Sequence, residues 1–314
     1  MTHSFRTDAE LPLPPMVHAS GCGCPLHARR RVGAALAVTL GSASLLPGPA
    51  QAQQPSVEEG VRSQVGGESR FAQMVSAEQV EMAASKQYGQ MKREAATKKA
   101  LASDDNPQLI RLRAIGQRVI PFCQAWNPRA AQWRWEVSLI GSNELNAFCM
   151  PGGKIAFYYG ILKRLQLSDD EVAMIMGHEM AHALREHARE QMGKTAATRM
   201  GAGLISSLFG FGNLGDTMLN MGAQLLTLRF SREDETEADL VGLELAARAG
   251  YDPRAGIGLW NKMTEANKGA PPQFLSTHPA SPTRIAEIER ALPRVLPIYD
   301  RAPKPPKFYG PPVA

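Results

Sequence analysis

Cysteine is scarce in this chain: Cys22, Cys24, Cys123 and Cys149 are the four among 314 residues. A chain of this length can bury a sizeable core by itself, so neither a disulfide framework nor a structural metal is needed to keep it folded. A metal site found here therefore reads as catalytic. Charge of one sign is nearly balanced out. The net charge is +5, and Arg6, Arg29, Arg30 and Arg31 against Asp8 and Glu10 account for +2 of it, leaving +3 beyond residue 52. That excess is too small to point to nucleic acid. Lys92, Arg93, Lys98 and Lys99 read as the solvated face of a helix. No apolar run makes a good membrane span. Val32 to Leu46 is short and carries Gly and Ser, and residues 201–215 are broken by Gly201, Gly203, Gly210, Gly212 and Gly215. No repeat of twenty to fifty residues is present. Histidine is rare too: beyond residue 52 there are His178, His182, His187 and His278 alone.

What is present begins with a leader. Arg29-Arg30-Arg31 precedes the apolar stretch Val32 to Leu46, then Pro47, Gly48 and Ala50-Gln51-Ala52. A charged start, a short apolar run and an A-x-A site make a secretory signal peptide over residues 1–52. The long segment before the arginines leaves open a start at Met16 or a twin-arginine route. Ala19-Ser20-Gly21-Cys22 has the look of a lipid-attachment box, but no apolar run precedes it. The expected location is periplasmic or otherwise exported. In an oxidising compartment Cys123 and Cys149 could pair, or they could be buried free thiols.

Residues 53–68 are polar and read as a linker, 69–295 as the folded domain, and 296–314 as a proline-rich tail. Ala77 to Ser103 favours helix. Asn106 and Pro107 start a second helix reaching Ala125, with Leu109, Leu112, Ile115 and Val119 on one face. Trp133 to Ile140 alternates as a strand; Asn146 to Met150 and Lys154 to Tyr159 make two more around the Pro151-Gly152-Gly153 turn. Ser168 caps a helix that carries Val172, Ile175, Met176 and Met180 and continues past His187. Further helices are expected over about 216–229, 232–249, 253–267 and 282–292. The fold class is α+β, mainly helical, with a small three-stranded sheet.

His178-Glu179-Met180-Ala181-His182 is an H-E-x-x-H pattern. On a helix, residues four apart share a face, so both imidazoles can reach one Zn²⁺. Glu179 then reaches a water rather than the ion, and can act as general base. Two polar rings in a strongly apolar helix need a reason to be there. A catalytic zinc wants a third ligand from the protein. His187 lies five residues past His182, about 140° round an unbroken helix, and is not expected to ligate; helix-end packing or a contact behind a ligand suits it better. Glu235 and Asp239, four apart in Ser231-Arg232-Glu233-Asp234-Glu235-Thr236-Glu237-Ala238-Asp239, suit the task. Glu235 can ligate, and Asp239 can accept the free ring N–H of a ligand histidine.

These residues carry a resemblance. The sequence resembles the gluzincin zinc metallopeptidase family of the CAAX-prenyl endopeptidases and HtpX heat-shock proteases (peptidase family M48), nearest to its soluble, periplasmic BepA-like members. It rests on Asn146-Ala147-Phe148 leading to Pro151-Gly152-Gly153, on Gly177 through His182, on Ser231-Arg232 through Glu235 with Ala238-Asp239, and on Thr277-His278-Pro279 followed by Arg284. The resemblance implies a zincin-type domain holding one zinc ion per chain on His178, His182 and Glu235, with Glu235 rather than Glu237 as third ligand. It implies that the strand of Asn146, Ala147 and Phe148 is an edge that binds substrate backbone. The implied activity is a metalloendopeptidase acting on misfolded or misassembled cell-envelope proteins. The membrane spans of one branch and the helical-repeat extension of some periplasmic relatives are not found.

A different class of reading is an envelope chaperone or assembly factor with a rarely used metal site; the intact Glu179 speaks against it. His278 sits between Pro271-Pro272 and Pro282, in a constrained loop. It could close the open metal position, donate to an oxyanion as a catalytic residue, or cap a turn. Residues 201–215 read as a flap over the cleft or a peripheral membrane contact, with ordinary core as the alternative.

Overall fold

The computed structural model describes residues 60–201, 221–266, 273–279 and 281–313. The expected leader and residues 202–215 of the glycine-rich segment lie outside them, so the flap and membrane-contact readings rest on sequence alone. In chain order the helices are α1 (Ala77–Thr97), α2 (Pro107–Val119), α3 (Tyr159–Arg164), α4 (Asp169–Leu184), α5 (His187–Gly201), α6 (Arg232–Arg248), α7 (Ala255–Ala266), α8 (Gln273–Thr277) and α9 (Pro282–Arg301). Strands β1 (Glu136–Ile140), β2 (Ala147–Met150) and β3 (Lys154–Tyr158) precede α3. The architecture is α+β and mainly helical, with the small sheet that the alternating stretches predict. Among the described residues no helix is long and apolar enough to cross a membrane.

β3 is the central strand. It runs parallel to β1, with Glu136 opposite Lys154, and antiparallel to β2, with Ala147 opposite Phe157. The tight turn between β2 and β3 uses Gly152 and Gly153 at φ +82° and +76°, which side chains resist. β2 is therefore an edge strand. The Tyr88 hydroxyl donates to the Ile155 carbonyl at 2.7 Å and ties α1 to the sheet.

Two helices with the same kind of start form the heart of the domain. Ser168 accepts from the Glu171 N–H while Glu171 accepts from the Ser168 N–H. Ser231 and Asp234 repeat this reciprocal cap on α6. Acidic residues in both first turns also complement the positive helix ends. Every residue of α4 except Asp170 is buried, so α4 is a core helix and not an amphipathic surface one. The helices touch at Gly177 and Gly242. A Cβ on Gly177 would meet the Gly242 carbonyl oxygen at 2.8 Å. Only glycine allows backbones this close, and the contact sets the first half of α6 alongside the histidines of α4.

Four sequence expectations need correction. The second helix stops at Val119, where Pro121 turns the chain into a 3-10 segment, Ile120–Ala125. The helix of the H-E-x-x-H pattern does not continue past His187. It ends at Leu184, Glu186 takes the left-handed φ of +58°, and α5 starts at His187. That conformation commonly ends helices on glycine; here the carboxylate of Glu186 is ion-paired with Arg189. The last helix runs to Arg301 through Pro293 and Pro297, because Ile288, Ala291, Val295 and Ile298 keep one face buried. Finally, the segment read as linker is docked from residue 60: the Val61 N–H donates to Glu244 at 2.8 Å, the Gly60 N–H to the Arg294 carbonyl at 3.1 Å, and Val61 is fully buried. Cys123 and Cys149 are both buried and free.

Candidate metal centre

His178 and His182 lie one turn apart in the buried middle of α4, and their Nε2 atoms are 3.1 Å apart. The first turn of α6 brings Glu235 against both. Its Oε2 is 3.6 Å from His178 Nε2 and its Oε1 is 3.5 Å from His182 Nε2. His278, just past α8, places Nδ1 at 3.3 Å from His178 Nε2 and 2.9 Å from Glu235 Oε1. One atom from each of these four residues lies within 4.8 Å of all the others. Among the described residues this is the one such cluster of His, Cys, Asp and Glu.

The donor set fits a cation. Three imidazole nitrogens point at one another, and lone pairs so placed repel unless a positive charge lies between them. Glu179 Oε1 is buried without a hydrogen bond, which is costly for a carboxylate. The separations of 2.9 to 3.6 Å are close to the ~3.4 Å edge of a tetrahedron with zinc-ligand bonds of about 2.1 Å.

Electrostatics sorts the groups. Burial, helped by the neighbouring His178, His187 and His278, pushes His182 well below the usual imidazole range, so its ring is neutral and can ligate. Burial also raises the Glu179 carboxyl, against the pull of His278 and His178. Burial would raise Glu235 as well, but His278, His178 and Arg284 together outweigh it and keep the group a carboxylate. Asp239 is held down at about 2, because Arg284 and His178 overcome its burial.

The expected contact behind His178 is present: Asp239 Oδ1 is 3.1 Å from His178 Nδ1. Arg284 was part of the motif but had no role read for it. It grips Asp239 with two N–H groups, Nε to Oδ2 at 2.6 Å and Nη2 to Oδ1 at 2.7 Å. Its Nη1 is 2.6 Å from Glu235 Oε2, and its guanidinium lies 3.6 Å from the centre of the Trp260 ring. Phe230, which sequence reasoning missed, stacks on His182 with ring centres 3.9 Å apart. Its place two residues before the Arg232 that opens α6 was the available signal. Glu237 faces Arg185 and His187, away from the cluster. A cleft opens beside the centre, lined by Asn146, by Ala147 and Phe148 of the edge strand, and by Glu179, Phe230 and His278.

Residues 108–292, from α2 to α9, match the sequence profile of Peptidase family M48. The chain belongs to this family. The M48 match contains every residue of the centre. Named relatives include the mitochondrial metalloendopeptidase OMA1 of Schizosaccharomyces pombe, 40% identical over 163 residues, which are 51% of this chain and 47% of that protein. The OMA1 of Bos taurus is 29% identical over 223 residues, 67% of this chain and 42% of its own length. The beta-barrel assembly-enhancing protease of Escherichia coli (strain K12) is 26% identical over 172 residues, 51% of this chain and 35% of its own. The chain thus spans about half or less of the length of these M48 relatives.

Proposed function

We propose that this chain is a zinc-dependent metalloendopeptidase holding one ion on His178, His182 and Glu235. The observation that carries the reading is the convergence of these side chains beside an edge strand and a buried Glu179 oxygen that accepts no hydrogen bond. When bound, the ion supplies Lewis acidity, polarising a scissile carbonyl and favouring deprotonation of water. Glu179 does the proton work. Its raised carboxyl suits a group that takes a proton from the attacking water and hands it to the leaving amine. Asp239, locked by Arg284, holds His178 in the tautomer that frees Nε2. The open edge of β2, at Ala147 and Phe148 with Asn146 just before them, takes an extended substrate backbone.

His278 gives the site a closed resting state. Its Nδ1 is close enough to His178 and Glu235 to act as a fourth ligand, which favours blocking over oxyanion donation. The substrates we infer are misfolded or misassembled envelope proteins met after export. The arginine–apolar–Ala50-Gln51-Ala52 leader supports this, as does the name of the beta-barrel assembly-enhancing relatives. The OMA1 relatives are named as mitochondrial, so the compartment rests on the leader. Incubating the purified chain with an unfolded protein tests the reading. Cleavage should stop on chelation and return with zinc; cleavage indifferent to chelation would contradict it.

A further inference from the structure

His182 has two ring nitrogens and they face different worlds. Nε2 points at the cluster, 3.1 Å from His178 Nε2. Nδ1 points away, 2.9 Å from Nδ1 of His187. Beyond His187, its Nε2 lies 3.4 Å from Glu237 Oε2, and Glu237 is ion-paired with Arg185. Arg185 donates onward from Nη2 to the Gly66 carbonyl at 2.5 Å. His187 is 1% exposed, so this line of contacts is internal where it meets His182.

The protons along the line can be arranged in one way. A His182 that ligates through Nε2 must carry its proton on Nδ1. His187 Nδ1 must then accept, which puts the His187 proton on Nε2. That N–H needs an acceptor, and Glu237 supplies a carboxylate. Arg185 has only donors and keeps Glu237 facing His187. Each hydrogen bond dictates the next.

The break between α4 and α5 builds this line. On a continuous helix His187 would sit about 140° round from His182. The left-handed Glu186 folds the chain back, so that Arg185 and His187 flank it and both reach Glu237.

We propose that His187, Glu237 and Arg185 are a positioning relay that fixes the ring and tautomer of His182 for metal binding. It is the counterpart of the Asp239–Arg284 pair behind His178, lengthened by one imidazole. The proposal rests on the reading of the cluster as a zinc site.

Zinc affinity, measured by chelator competition on full-length protein, tests it together with ring ¹⁵N NMR of the metal-free state. His187→Leu should weaken zinc by about 10- to 100-fold, with the metal-free melting temperature showing that the variant is folded. His187→Asn places an amide oxygen where Nδ1 was and should restore most of that loss. Glu237→Gln, which removes the charge but keeps the shape, should weaken zinc by less than His187→Leu. In the wild type the His187 proton should sit on Nε2. Unchanged affinity in His187→Leu, no recovery in His187→Asn, or a proton on His187 Nδ1 would each overturn the relay while leaving the zinc site standing. A wild type that binds no zinc would instead overturn the site itself, and the relay with it.

Discussion

Gly242 lies against the backbone of His178 so closely that a Cβ on it would come within 2.6 Å of the His178 amide nitrogen. This contact lets a helix that carries acids sit beside a helix that carries histidines. Gly242→Ala should therefore destabilise the protein by about 1–3 kcal/mol, because neither backbone can yield. It should also weaken metal binding by pushing Glu235 away from His178. Urea unfolding and metal titration check both; wild-type values for both would show that the helices have slack.

The ligand set makes a sharper claim. His178→Ala, His182→Ala and Glu235→Ala should each bind zinc far more weakly than the wild type. Metal analysis of purified variants decides this. Full occupancy in Glu235→Ala would move the third ligand elsewhere, and Glu237 would have to leave Arg185 and His187 to take over.

His278 should restrain the enzyme. If its ring closes the centre, His278→Ala raises basal proteolysis of an unfolded substrate without loss of zinc. A fall in turnover on the order of a hundredfold would instead mark His278 as an oxyanion donor.

Asp239 predicts a pH dependence in the metal-free protein. Its carboxyl is held at about 2, against an ordinary 3.8. A depressed pKa contributes stability that is present above the unfolded value and is lost as pH falls through the folded one. The contribution, about 2–3 kcal/mol by that shift, should be complete near pH 5 and fade toward pH 2. The stability gap between wild type and Asp239→Asn, followed by urea unfolding, should shrink over that window. A gap that is flat with pH would contradict the pairing with Arg284.

Much of the site was legible because its geometry is local. His178 and His182 are one helical turn apart, as are Glu235 and Asp239, so spacing alone put each pair on one face. The strands were legible from alternation and from the glycines of one turn. What could not be read depends on contacts between distant residues. Arg284 meets Asp239 across 45 positions, and nothing in its neighbours names that partner. The break after Leu184 is marked by a glutamate in a conformation that usually calls for glycine, so the sequence reads as one helix that turns His187 away from His182. The last helix was expected over about 282–292, yet the buried face of Ile288, Ala291, Val295 and Ile298 carries it past both Pro293 and Pro297.

The central claim is that Glu179 is the base of a zinc peptidase and not a ligand. Zinc content and cleavage of an unfolded protein, measured on the same Glu179→Gln preparation, test it most directly. A full complement of zinc is expected, with turnover lower by a factor on the order of a thousand, within the range for loss of a general base. Cleavage at the wild-type rate with zinc in place would contradict it.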